Sequence, residues 1–417
     1  MAIRKDISRA VKLIKDVVAS RKTQHRLRGP LKTRELRIDN HFRIAVYFAD
    51  GPVNLYQMRQ WYQPLATLAK TWPVLVLSRT GGGTLKLLDE SPVPVAYART
   101  VPQLEQIVAE QDIRIVFYVN QNPRNFQMMR YGRCWHVFIN HGESDKMYMI
   151  TNQFKAYDYS FVAGDAALAR LNRVLWDYDF DKRALKIGRP QADYFQGDLP
   201  YAPDDRQVVL YAPTWEGDRA AAAYGSVITH GVGLITALLA SGTHRVIYRP
   251  HPRSGVGDKA YGAANKTIIA AIAAANARDP QAQHIYDRGP DLGWQLAIAD
   301  VAIVDISAMV YDRLATGKPL IITRPVQPAA VIDSGGYLAD CEWLLANEAG
   351  DIITVLDTLT HDDAAVERLQ EWVHRYFGDT SPGVATQRLH EAVQHLMNEW
   401  ERFAAIHDAE PALPPTP

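Results

Sequence analysis

The stretch DVAIVDISAMVYDRLATGKPLIIT, residues 300–323, decides the fold class. Its first part, VAIV (301–304), is an apolar run of strand length, and PLIIT (319–323) is a second. Ser307 has the residue type of a helix N-cap and Gly317 that of a C-terminal stop, so the segment between them is expected to be a helix. Strand, helix and strand in this order form a βαβ unit. Strands this apolar suit a parallel sheet covered on both faces.

The same alternation extends outward in both directions. QVVLYAP (207–213) and HRVIYRP (244–250) precede the unit; RIAVYF (43–48), PVLVL (73–77), IRIVFYV (113–119) and HVFIN (136–140) form an earlier set. Residues 55–70 and 101–111 suit helices between them. FQGDLPYAPDDRQ (195–207) is rich in Pro, Gly and Asp and reads as a linker. The expected architecture is an α/β chain with Rossmann-like domains at 41–195 and 207–360, joined by a linker at 196–206. C-terminal helices over 361–408 are expected to pack across the cleft, followed by a flexible proline-rich tail, 409–417. Sheets of this kind bind ligands beyond the carboxyl ends of their strands.

The 417 residues carry 46 Lys/Arg and 46 Asp/Glu with 47% hydrophobic content, which excludes general disorder. The neutral total conceals an asymmetry. Residues 1–37 hold twelve Lys/Arg against three acidic residues, a net +9 that leaves −9 elsewhere. In the first twenty residues Ile3, Ile7, Val11, Ile14 and Val18 recur at helical spacing, with Arg4, Lys5, Arg9, Lys12 and Lys15 on the other side. Such a helix, assigned to segment 1–40, suits an anionic membrane surface; a helix docked on its own protein fits the same pattern. Lys12, Lys15 and Asp16 interrupt any signal-peptide core, and no run is long enough to span a membrane. Cys134 and Cys341 offer neither a disulfide framework nor a metal motif, and a reducing cytosol is the expected setting. No nucleic-acid partner is expected.

Four segments place polar groups directly after a predicted strand. His141-Gly142-Glu143-Ser144-Asp145-Lys146 puts a histidine before a glycine that lets substrate approach the backbone. Arg249-Pro250-His251-Pro252-Arg253 sets an imidazole between prolines and guanidiniums, groups suited to a pyrophosphate. Asp305 to Asp312 contains the Ser307 cap and a helix start able to receive a phosphate. Tyr211 to Glu216 offers the Thr214 hydroxyl and an aromatic wall. Each also has a purely structural reading as a turn or a cap. The run Asp177, Asp179, Asp181 lacks the glycine and distal Glu of a calcium loop, and Gly81 to Gly83 lack phosphate-loop spacing. HExxH and GxSxG do not occur.

In this order the segments resemble the CDP-glycerol glycerophosphotransferase family, the teichoic acid primases and polymerases, over roughly residues 43–395. The resemblance rests on YAPTWEGD (211–218), YRPHP (248–252), DISAMVYDRLATGKPLI (305–321), YFGDTSPGVATQRL (376–389) and KIGRPQAD (186–193). HGESDK (141–146) departs from the family's HGTPLK-like motif, and Ala308 stands where a second serine is usual. The resemblance implies a GT-B fold and transfer of glycerol phosphate, or a related polyol phosphate, from CDP-glycerol to a hydroxyl, with release of CMP. It implies His141 as general base and His251 with Arg249 at the pyrophosphate. Gly142, Ser307, Thr214, Asp305 and Asp312 are implied on the nucleotide and phosphate side. No essential metal is expected. The implied acceptor is a lipid-linked glycan or teichoic acid at the inner face of the plasma membrane; the oligomeric state stays open. Two other readings are a GT-B glycosyltransferase using a nucleotide sugar and a non-catalytic membrane-bound scaffold.

Overall fold

Apolar alternation builds two doubly wound domains. The structure, a computed structural model, describes residues 21–29, 31, 42–143, 151–195, 199–289, 292–332 and 335–409. The amphipathic helix expected over the first twenty residues, with Arg4, Lys5, Arg9, Lys12 and Lys15, lies outside the described residues, as does the tail 410–417.

The first sheet comprises β1 (Ile44–Phe48), β2 (Val74–Ser78), β3 (Val95–Tyr97), β4 (Ile115–Tyr118), β5 (Trp135–Phe138), β6 (Tyr159–Val162) and β7 (Ala184–Lys186). Its order is β3-β2-β1-β4-β5-β6-β7, with every pairing parallel. Side chains alternate along β1: Ile44, Val46 and Phe48 enter one core, Ala45 and Tyr47 the other. The second sheet holds β8 (Gln207–Ala212), β9 (His244–Tyr248), β10 (Ile285–Tyr286), β11 (Val301–Val304), β12 (Leu320–Thr323) and β13 (Glu342–Leu344). It is again parallel, in the order β10-β9-β8-β11-β12-β13. Strand order thus reverses between β1 and β4 in one domain and between β8 and β11 in the other, where such sheets open a binding crevice.

The predicted strands are present, and β3, β6, β7, β10 and β13 join them. These additions run only two to four residues, too short to show a periodicity. The helix expected over 55–70 is divided into Tyr56–Arg59 and Tyr62–Leu68. Gly81 to Gly83 open the helix Gly81–Glu90, whose N-cap is Thr80, and do not form a phosphate loop. Residues 21–29 are helical and lie on the first domain: Leu27 is buried in its core, and the Gln24 amide donates to the Tyr97 hydroxyl at 2.9 Å.

The C-terminal stretch breaks after Phe377 at Gly378, where φ is +69°, and resumes as the helix Val384–Ala409. The helix Asp363–Phe377 gives Leu369, Val373, Tyr376 and Phe377 to the core of the second domain. The next helix returns Leu389, Val393 and Leu396 to the core of the first, each fully buried and worth about 1.5–3 kcal/mol. Asp193 fixes the crossing, accepting from the Gly383 N–H at 3.1 Å and the Thr386 N–H at 2.7 Å. Gly188, at φ +68°, passes so close that a Cβ would meet the Phe377 carbonyl and the Ala385 methyl at 3.2 Å.

Candidate active site

His141 follows β5 through Asn140, whose φ of +53° turns the chain out of the sheet. Its Nδ1 lies 2.8 Å from the Val119 carbonyl oxygen beyond β4. A carbonyl only accepts, so Nδ1 carries the proton and the Nε2 lone pair is the basic atom. Burial holds the imidazole below its usual pKa, against the Val119 bond; the charge of Arg189 acts in the same direction as burial. The Tyr56 ring meets the imidazole edge-on, with centroids 5.7 Å apart.

Arg189 links this loop to the other domain. A Cβ on Gly142 would lie 3.6 Å from its Nη1, so the guanidinium rests against the glycine. The same guanidinium forms an ion pair with Asp312 on the helix Ala308–Leu314, with side chains 5% and 7% exposed. The segments carrying His141 and Ser307 are thereby tied across the interdomain boundary.

In the second domain, the Nδ1 of His251 accepts from the Arg253 backbone N–H at 3.1 Å. The neutral ring therefore has its proton on Nε2, the tautomer opposite to that of His141. Thr214 leaves β8 and donates its N–H to Asp305 at 2.8 Å. Ser307 caps the helix Ala308–Leu314, accepting from the Met309 N–H at 3.3 Å.

Three expected ligand contacts are redirected by the structure. Asp305 is wholly buried and accepts from the N–H groups of Thr214 and Ser226 and from the Thr323 hydroxyl at 2.5 Å; it braces the crevice from beneath instead of lining it. Burial pushes its carboxyl up to about 6 against these hydrogen bonds. Asp312 is spent on Arg189, because an unpaired buried guanidinium would cost more than the contact saves. Arg249 turns its guanidinium onto Asp287 and the Gly289 carbonyl.

The first domain adds a polar cluster that sequence reasoning missed. At the β1/β4 reversal, the Asn120 amide donates to Asp50 at 2.7 Å and to Gln57 at 2.6 Å, and the Asn122 amide donates to Asp50 at 2.8 Å. Its signal was the first polar residue after each of those strands, Asp50 and Asn120. Among the described residues, no three His, Cys, Asp or Glu side chains converge on a metal geometry. In the acidic run, Asp179 caps a short helix by accepting from the Lys182 N–H at 3.1 Å.

Comparison with known proteins bears on this arrangement. A search of curated proteins by sequence finds no match. Among solved structures, the wall teichoic acid polymerase TagF is similar at TM-score 0.56 and 14% identity, covering 94% of this chain and 99% of that one. A TagF variant soaked with CDPG is similar at TM-score 0.57 and 14% identity, covering 95% and 97%. A putative UDP-N-acetylglucosamine 2-epimerase from Listeria monocytogenes is similar at TM-score 0.56 and 13% identity, covering 86% and 97%. At such identity these likenesses bear on the fold, which is the two-domain GT-B arrangement. The family model of CDP-glycerol:poly(glycerophosphate) glycerophosphotransferases matches residues 140–394, from the turn before His141 to the C-terminal helix. The chain belongs to that family and is a transferase of the CDP-glycerol glycerophosphotransferase class.

Proposed function

We propose that this enzyme moves glycerol phosphate from CDP-glycerol onto a hydroxyl of a lipid-linked glycan or teichoic acid acceptor and releases CMP. The observation that carries the reading is the pair of oppositely tautomeric histidines. The His141 Nε2 offers a lone pair, and the His251 Nε2 offers a proton. The acceptor oxygen attacks the β-phosphorus as His141 takes its proton, and a new P–O bond forms. The bond from that phosphorus to the CMP oxygen breaks, and His251 donates to the charge gathering there. Ser307, Thr214 and the start of the helix Ala308–Leu314 supply further donors to phosphate. With the imidazole, hydroxyl and N–H donors in these positions, the transfer runs without an essential metal.

The basic segment 1–37 holds the enzyme at the anionic cytoplasmic face of the membrane, where a lipid-linked acceptor resides. Among the described residues no helix is long and apolar enough to cross a membrane. The test is nucleotide release from CDP-glycerol, CDP-ribitol, UDP-sugars and CMP-sugars with a membrane extract as acceptor, followed by mass spectrometry of the lipid product. CMP release from CDP-glycerol with a gain of glycerol phosphate on the lipid supports the reading. Release from a nucleotide sugar alone overturns it.

A further inference from the structure

The loop that carries His251 is held by the turn that leaves β8. The His251 N–H donates to the Pro213 carbonyl at 3.1 Å, and the Arg253 guanidinium lies over the Trp215 ring, 3.7 Å from its centroid. Glu216 makes the densest contact. One carboxylate oxygen accepts from the Gly255 N–H at 2.9 Å; the other accepts from Gly257 at 2.7 Å and Asp258 at 3.0 Å. Burial works against its charge, yet these N–H donors hold the carboxyl below the usual Glu range, so it is ionised at neutral pH. Asp258 is in turn the N-cap of the helix Lys259–Arg278, whose Tyr261 hydroxyl donates to the Thr214 carbonyl at 2.6 Å. Gly217 closes the turn at φ +85°, where a Cβ would stand 2.6 Å from the Ala222 carbonyl oxygen.

The turn and the loop therefore form one unit, and Arg253 lies inside it. Its side chain is stacked on Trp215, the three amides gripped by Glu216 begin two residues later, and its own N–H faces the His251 Nδ1. We propose that Glu216 is a positioning residue for the transfer: by clamping residues 255–258 it keeps the Arg253 N–H on His251 Nδ1 and so confines the imidazole proton to Nε2. This rests on the reading of His251 as the donor to the departing CMP. Without the clamp the Arg253 N–H drifts from the ring, the proton divides between the two nitrogens, and part of the population presents a bare nitrogen to the phosphate.

The test uses the full-length enzyme labelled with 15N-histidine, the His251 resonances being identified by their loss in His251→Gln. In the wild type, Nδ1 is unprotonated and Nε2 protonated. Glu216→Ala is expected to show mixed tautomers and a kcat lowered about 10-fold to 10²-fold, while KM for CDP-glycerol changes by less than about threefold. If Glu216→Ala does not fold, Glu216→Gln tests the same point, since its amide –NH2 must face the Gly255 N–H in place of an acceptor oxygen. Trp215→Leu removes the platform beneath Arg253 and is expected to shift the tautomer in the same sense. A folded variant with an unchanged tautomer overturns the proposal, whether or not its kcat falls. Full transfer by His251→Gln would instead remove His251 from the mechanism, and the tautomer measurement would still decide what Glu216 does.

Discussion

Replacing Asp312 by Asn should destabilise the protein and displace its pH profile together. Both side chains of the Arg189–Asp312 pair are more than nine-tenths buried, and among the described residues the Arg189 Nε has no hydrogen-bond partner. The guanidinium's other hydrogen bond among the described residues is long, to the Gln60 amide oxygen at 3.5 Å. Removing the carboxylate charge therefore leaves a guanidinium in low dielectric with little to replace it, a loss of about 3–5 kcal/mol. Urea unfolding followed by tryptophan fluorescence measures this directly, with far-UV dichroism as a second probe. Exchanging both residues, Arg189→Met with Asp312→Leu, should cost less than the sum of the two single changes, with a coupling of about 2–3 kcal/mol. The kinetic part has a definite sign: with Asp312 neutral, the uncompensated Arg189 charge depresses His141 further, so the acid limb of kcat/KM moves to lower pH. A loss under about 1 kcal/mol in Asp312→Asn, or a double variant that costs the sum of the singles, would refute the reasoning.

His141→Ala and His251→Ala should each lower transfer by at least about 10² without altering the far-UV spectrum, and near wild-type turnover removes that residue from the mechanism. Because burial holds His141 below its ordinary pKa and a base must be neutral to act, kcat/KM should rise with pH through a midpoint below about 6.5 and level off above it. A midpoint above that value contradicts the assignment. Transfer should survive EDTA; abolition by EDTA with rescue by magnesium contradicts a metal-free reaction. A chain beginning at Ile38 should lose salt-sensitive flotation with anionic liposomes, and full flotation excludes the basic segment as anchor.

Much of the fold was legible because its central strands are long enough to show their character. β1, β2, β4, β8, β9 and β11 are four to six residues, mostly apolar and buried on both faces. Edge and peripheral strands such as β3, β10 and β13 carry two or three residues, and their existence depends on a neighbour to pair with. The site was legible as a set of positions after strands, since parallel sheets gather those ends. What each polar group does there was not. Asp305 and Thr214 look alike in sequence, as polar residues beyond adjacent strands, yet one is wholly buried and the other partly exposed. Arg189 is another case: its partner lies 123 residues further on, a pairing that only folding brings about. The tautomers of His141 and His251 likewise depend on Val119 and the Arg253 amide, backbone groups without a sequence signature.

The return of the helix Val384–Ala409 to the first domain has a mechanical consequence. The polypeptide crosses between the lobes twice, once near residue 200 and once at Gly378–Gly383, so the lobes share two hinge points. Two hinges define an axis. Opening and closing are then confined to rotation about the line joining them, and the lobes cannot swivel freely as they could on one tether. A fragment ending at residue 206 would lack Leu389, Val393 and Leu396, leaving a greasy face on its sheet. The first lobe is therefore not a self-sufficient folding unit, and exchanging second lobes between relatives would have to keep this last helix matched to the first lobe on which it packs.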